Sequence, residues 1–292
     1  MDLIEIIGLT GKKLGKLPYF NINPFHGRVE VIQRIINKMG AKFYLEIGVA
    51  EGRCFLQINA FRKLGVDPKF LISKKKKILS LLINPLNLFN KYFEISSDFF
   101  FKSLSSLEDI NPIDIIFIDG LHTYQQSLRD VQNSLKYLAK GGTIVMHDCN
   151  PWSKRVASPI NSISGKKPPG KWLGDVWKTI VYLKSIRNDL NVFVLNFDRG
   201  VGVVSKSHIN NSDLDLSERE INLLNFKDLD SNRKKLLNLK NEHYLSEYIK
   251  NISVKHYITS KIYSILNFGF LFTYFWITII FKILKSIKGM NL

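Results

Sequence analysis

The sequence predicts an α/β protein built on a mostly parallel sheet, and three observations carry that reading. First, strand-like apolar runs recur along the chain: KFYLEIG (42–48), LGVDP (64–68), KYFEIS (91–96), IDIIFID (113–119) and GTIVMHD (142–148), with helical patterns between them. Strands alternating with helices argue for a parallel sheet covered on both faces. Second, the runs are apolar without strict alternation, as expected of strands buried on both sides. Third, NVFVLNF and VGVVSK flank an Asp-Arg-Gly turn, which reads as an antiparallel hairpin closing a seven-stranded sheet.

The elements follow in order. Residues 1–27 form an N-terminal arm ending in the turn-rich NINPFHG. From Arg28 to Met39 apolar residues recur at helical spacing, and Gly40 is a natural stop. Arg53–Lys63 and Thr123–Leu138 carry helical patterns, and the lysine run 74–77 reads as a solvated helix start. After Pro151 a Pro/Gly/Lys-rich loop (164–172) precedes a helix over 174–186, and residues 214–250 read as two or three short charged helices. The organisation is thus a domain over 28–206, a helical extension over 207–253 and an apolar, basic-flanked C-terminal segment over 254–292.

The chain has 292 residues, 45% of them apolar and 20 of them Phe, which supplies a sizeable core and excludes global disorder. A net charge of +17 favours an acidic partner. The charge is spread along the chain and no NPPY-like motif of base methylases occurs, so nucleic acid is disfavoured. Cys54 and Cys149 form no metal-ligand pattern and fit a reducing compartment. Acids stand where a signal peptide would carry positive charge, so a cytoplasmic location of the body is expected.

Chemistry-bearing residues gather at the strand ends. LEIGVAEGRC (45–54) puts a glycine-bearing turn, Glu46-x-Gly48-x-x-x-Gly52, between a strand and the next helical pattern; glycines there let backbone approach a ligand. Asp67 ends the next strand, 21 positions after Glu46, where a carboxylate can accept hydrogen bonds from ribose hydroxyls. Ser97 and Asp98 end the third strand, to meet an adenine edge or to cap the following helix. Asp119 and His122 follow the fourth strand; His147 and Asp148 follow the fifth. In open α/β sheets ligands bind outside the carboxyl ends of strands, so all of these project toward one rim.

The stretch from LEIGVAEGRC through GVDP, ISSDFFF, FIDGLHTYQQSLRD and KGGTIVMHDCNP to GDVWK and RGVGVV resembles class I S-adenosylmethionine-dependent methyltransferases, nearest to the macrocin O-methyltransferase-like branch. The resemblance implies a doubly wound Rossmann-like fold and S-adenosylmethionine as cofactor. Glu46, Gly48, Gly52, Asp67, Ser97, Asp98 and Asp119 would bind it. Ala50 stands where the wider superfamily has a central glycine, and Cys54 where the branch often has a small hydroxyl residue contacting the cofactor's carboxylate. A sulfonium methyl is already electrophilic, so the enzyme must align a nucleophile and remove a proton from a hydroxyl acceptor. His122 is the candidate base, because imidazole titrates in the useful range. Its alternative is a helix-start histidine bonded to backbone. Asp119 and His147 complete the candidate catalytic set, with His147 lining the pocket or orienting Asp148; Tyr124 is expected to pack. Some relatives hold a divalent metal with carboxylates at the fourth and fifth strand ends, which implies Mg2+ on Asp119, Asp148 and Asn150. Trp152, Trp172 and Trp177 flank the variable loop and suit a sugar ring or flat acceptor, or the core.

From Ile262 to Phe281 the chain carries no charge over 20 residues, and a helix of that length spans about 30 Å. Lysines flank it on both sides, as in membrane-associated helices. Ser260, Ser264 and Asn267 at helical spacing also allow a helix lying flat, and packing on protein is the third reading. The expected function is methylation of a sugar, glycan precursor or other hydroxyl-bearing small molecule. The competing reading is a non-catalytic cofactor-binding or membrane scaffold protein that retains the fold.

Overall fold

The computed structural model describes residues 27–105, 112–159, 172–206 and 214–252. The arm up to residue 26 and the apolar C-terminal segment lie outside the described residues. Among the described residues no helix is long and apolar enough to cross a membrane.

Helix α1 (Arg28–Met39) buries Val31, Ile32, Ile35, Ile36 and Met39 and ends at Gly40, whose left-handed backbone returns its N–H to the Ile36 carbonyl. Each of those aliphatic side chains contributes about 1.5–3 kcal/mol on leaving water. Strands β1 (Phe43–Ile47), β2 (Arg62–Val66), β3 (Lys91–Phe93), β4 (Ile113–Ile118) and β5 (Leu138–Met146) pair in parallel. Between them lie α2 (Lys74–Ile83), α3 (Ser97–Ser105) and α4 (Tyr124–Tyr137). After α5 (Trp177–Ile186), β6 (Leu190–Leu195) and β7 (Val201–Lys206) form the expected hairpin, with β7 inserted antiparallel between β5 and β6. Helices α6 (Glu218–Leu223), α7 (Phe226–Leu237) and α8 (Tyr244–Asn251) fill the charged extension. Two apolar layers cover the sheet, one holding Trp177 and Ile180, the other Ile32 and Phe193.

Three expectations need correction. Among the described residues the sheet has eight strands, in the order β3-β2-β1-β4-β5-β7-β6-β8, because Leu239–Lys240 (β8) adds to β6 within a segment that reads as helical. Residues 53–63 do not form a regular helix: the chain winds through turns and Arg62 and Lys63 already belong to β2. The Phe55 and Ile58 carbonyls, which would continue a helical ladder, instead accept from the buried Lys63 amine at 2.9 and 2.8 Å. Helix α3 is capped by neither Ser97 nor Asp98 but by Ser96, whose hydroxyl accepts from the Phe99 N–H at 3.3 Å. The lysine run does start α2, capped by Ser73.

The order β2-β1-β4 places the reversal of strand order at β1, where flanking connections leave a crevice above the carboxyl ends. The site lies there.

Candidate active site

The turn after β1 is shaped by backbone that side chains resist. Gly48, Ala50 and Gly52 have φ of 87°, 44° and 68°. A Cβ on Gly48 would strike the Asp119 carbonyl, so the turn lies directly against the end of β4. Gly52 does not face the cavity; it closes the turn with an N–H donated to the Val49 carbonyl at 2.7 Å, and a side chain there would press on Ile72.

Asp67 accepts from the Ala50 N–H and the Lys69 N–H, both at 2.8 Å, which ties the β2 end to the glycine turn. Glu46 is buried and accepts from the Tyr44 hydroxyl at 2.5 Å. Burial pushes its carboxyl up to about 8, against the opposing Tyr44 hydrogen bond, so it is largely neutral at pH 7. Ser97 and Asp98 meet Gln126, whose amide donates to Ser97 Oγ at 3.2 Å and to Asp98 Oδ1 at 3.3 Å. Gln126 also reaches Asp130, whose carboxyl burial raises to about 6. A cavity of about 630 Å³ runs along these ends, lined among others by Glu46, Gly48, Asp67, Ser97, Asp119 and Asp148. The four strand-end carboxylates therefore share one rim.

Beside the ends of β4 and β5 the cavity is lined by a compact charged cluster. His122 Nδ1 is 2.9 Å from the Trp172 carbonyl, and a carbonyl only accepts, so Nδ1 carries a hydrogen. That leaves Nε2 facing Asp119 at 3.5 Å and Asp148 at 3.4 Å. The Trp172 ring packs on the imidazole with centroids 5.6 Å apart. Burial opposes the charged form of His122, but Asp119, Asp148 and the Trp172 carbonyl outweigh it and raise its pKa above 6.5. His147 is 2% exposed, with Nδ1 3.3 Å from Asp119 and 3.1 Å from Asp148, and Nε2 3.5 Å from Asp198. Burial again opposes, yet these carboxylates lift His147 to about 9, so it remains a cation at neutral pH. Burial pushes the Asp119 carboxyl up, but His147, His122 and Arg28 more than offset this and hold it well below the carboxylate range. Asp148, in left-handed backbone with φ 59°, is pushed up by burial and by Asp119. Both of its side-chain oxygens are buried without a hydrogen-bond partner.

Asn150 does not join this group. Its Oδ1 accepts from Arg233 and its amide donates to Asn196 at 2.9 Å, so the place expected for it beside Asp119 and Asp148 falls to His122. These three offer one ligand atom each within 4.8 Å of one another. Trp177 is core, Trp152 is half exposed, and Tyr124 packs as expected with 3% exposure.

Three residues at the site escape a sequence reading. Arg28 opens α1, and Asp198 and Arg199 form the β6–β7 turn in left-handed backbone with φ of 44° and 64°. Arg28 Nη1 donates to Asp198 Oδ2 at 3.2 Å and its backbone N–H to the same oxygen at 2.8 Å. Arg28 and Arg199 line the cavity. The Asp-Arg-Gly turn was the available signal, but nothing in its sequence says that it folds back over a helix start 170 positions earlier.

A doubly wound sheet with acids at the ends of β1, β2, β4 and β5 around one crevice is the arrangement expected of a class I S-adenosylmethionine-dependent methyltransferase, and part of the chain is similar to that class. Residues 45–149 match the family model described as a methyltransferase domain. An uncharacterised protein of Acanthamoeba polyphaga mimivirus is 29% identical over 160 residues, covering 51% of this chain and 72% of its own length. Among solved structures, the O-methyltransferase from Bacillus cereus in complex with SAH is 17% identical, with 70% of this chain and 92% of that one covered and a TM-score of 0.45. The O-methyltransferase TomG from Streptomyces achromogenes is 12% identical, covering 71% and 91%, with a TM-score of 0.46.

Proposed function

We propose that the protein methylates a hydroxyl oxygen of a sugar, a glycan precursor or another hydroxyl-bearing small molecule. The observation that carries this reading is His122, with Nδ1–H given to the Trp172 carbonyl and Nε2 at the cavity beside Asp148 at 3.4 Å, so that the neutral imidazole can take a proton at Nε2. When bound, S-adenosylmethionine supplies an electrophilic methyl group. Glu46, Gly48, Asp67, Ser97, Asp98 and Asp119 bind and orient that cofactor, and Gly52 supports the turn from behind. His122 Nε2 would take the hydroxyl proton of the acceptor whose oxygen receives that methyl group. Asp119 and Asp148 stabilise the imidazolium that results. His147, already protonated, is no base; it holds Asp119 in place. A general base of this kind is worth about 10²–10⁴-fold in rate.

A second reading is favoured by Asp148, whose two buried oxygens have only ion-pair contacts to His147, His122 and Arg199 and no hydrogen bond. A divalent cation such as Mg2+ would satisfy them, with Asp119 and His122 as further ligands and the acceptor's oxygens completing the set. Nε2 of His122 serves only one of the two roles at a time, so loss of turnover on adding a chelator would assign it to the ion. A methylated acceptor attached to lipid would also give a purpose to the apolar segment 262–281, which we assign to membrane association of the 28–206 domain and its 207–253 extension. The non-catalytic reading gains nothing from a site that holds an oriented imidazole between two carboxylates.

The test is calorimetry with S-adenosylmethionine on the full chain and on Asp67→Ala. The wild type binds and Asp67→Ala binds at least tenfold more weakly, since a charge-assisted hydrogen bond is worth about 1.5–3 kcal/mol. A wild type that binds no cofactor would sink the enzyme reading.

A further inference from the structure

The cavity needs a cation that its strand-end motifs do not supply. Glu46, Asp67, Asp119 and Asp148 suit the hydroxyls and positive groups of S-adenosylmethionine, but the cofactor also carries a carboxylate. Cys54, where a small hydroxyl residue would contact that carboxylate, cannot replace it. The Cys54 thiol is 3% exposed and lies 3.7 Å from the Tyr44 hydroxyl, and burial keeps it protonated. Backbone N–H groups of the glycine turn are partly spoken for, with the Gly48 N–H donated to Val66, the Ala50 N–H to Asp67 and the Gly52 N–H to Val49.

Arg28 lines the cavity together with Glu46, Gly48 and Cys54, and is close enough to Glu46 and Cys54 to interact with both electrostatically. Its Nη1 is used by Asp198 and approaches His147 at 3.2 Å, but its Nε is buried without any hydrogen-bond partner, the nearest acid being Asp119 Oδ2 at 3.8 Å. The guanidinium side chain is 21% exposed, held from behind by Asp198 and open on the cavity side. A planar fork anchored through one nitrogen, with an unsatisfied N–H beside it, is suited to grip a second carboxylate. The other arginine near the turn, Arg53, is 63% exposed and paired with Glu51 at 2.9 Å, which directs it toward solvent.

We propose that Arg28 binds the carboxylate of the cofactor's methionyl group, in place of the hydroxyl contact that Cys54 does not make. This rests on the cofactor-binding reading above and adds a residue to it from the opposite end of the chain. With adenosine on Asp67 and the methyl group facing His122, the amino-acid end of the cofactor extends toward Glu46 and Arg28.

The experiment compares S-adenosylmethionine with decarboxylated S-adenosylmethionine, which lacks only that carboxylate, by calorimetry on the full chain. Wild type prefers the intact cofactor by about 10–100-fold, the range of one charge-assisted hydrogen-bonded pair. Arg28→Gln binds the two equally and binds the decarboxylated form as wild type does. Arg28→Lys, which keeps the cation, retains part of the preference. Asp198→Asn, which removes the anchor and leaves the cation, also retains it. The proposal is overturned if Arg28→Gln keeps the wild-type ratio, if it weakens both ligands equally, or if wild type binds both with one affinity. Wild type binding neither ligand would overturn the cofactor reading as well, so the two failures are distinguishable.

Discussion

His147 makes the stability of this protein depend on pH in a way that can be worked out. Four charged groups face it: Asp119, Asp148 and Asp198 as acids and Arg28 as a cation 3.2 Å from Nε2. The folded-state pKa is about 9, against about 6.5 in an unfolded chain. A raised histidine pKa stabilises the fold fully below the unfolded value, and that contribution is lost as pH rises through the folded one. Between pH 6.5 and 9 the native state holds one proton more than the unfolded state, so stability falls by about 1.4 kcal/mol per pH unit, or about 3 kcal/mol across the window. Glu46, raised to about 8, and Lys63, lowered to about 7, titrate in the same interval, so the wild-type curve alone does not isolate His147. The assay is therefore urea unfolding at several pH values for wild type and His147→Gln. The variant is less stable at pH 6.5 because Asp119 and Asp198 lose their cation, and the difference narrows by about 3 kcal/mol by pH 9. Parallel curves, with a constant difference at all pH values, would refute the placement of a charged imidazole among these carboxylates.

Other expectations follow from the same geometry. Gly48→Ala forces a side chain onto the Asp119 carbonyl at φ 87°, costs about 1–3 kcal/mol or more by thermal unfolding, and abolishes cofactor binding; near-wild-type melting would mean the turn is not pressed on β4. His122→Gln leaves cofactor affinity within about twofold but lowers turnover about 10²–10⁴-fold, and kcat/KM of the wild type rises with pH through a pKa above 6.5 as the imidazole becomes neutral. A flat wild-type profile over that range would remove His122 as base. Asp148→Asn shifts the rising limb to lower pH, because a carboxylate 3.4 Å from Nε2 no longer favours the imidazolium. In liposome flotation, the full chain is recovered with lipid and a chain lacking residues 255–292 is not; equal recovery in solution would detach the apolar segment from any membrane role.

The frame of this molecule was legible because it rests on local patterns. Unbroken apolar runs gave five strands, the Asp-Arg-Gly turn gave the hairpin, and the acids at strand ends converge because parallel strands all finish on one edge. What stayed hidden depends on side chains doing the opposite of their type. Residues 53–63 carry apolar residues at helical spacing, yet Lys63, 1% exposed, draws the Phe55 and Ile58 carbonyls away from a ladder. Asn150, two positions from Asp148, faces Arg233 instead of the cavity because Asp148 turns the backbone through a left-handed conformation. The Arg28–Asp198 pair joins groups that no local pattern relates. His122 was readable as a residue of interest, but its tautomer is set by a carbonyl 50 positions away.

The tie between Arg28 and the β6–β7 turn has a consequence for synthesis on the ribosome. Contacts that span most of a domain close late, after the intervening chain has been made and ordered. A nascent chain that ends just after Asp148 already possesses every strand-end acid of the rim, but the opening arginine of its first helix still lacks its Asp198 partner. The pocket thus matures only once Asp198 has emerged, and truncated products should present an acid-rich groove whose arginine is not yet anchored from behind.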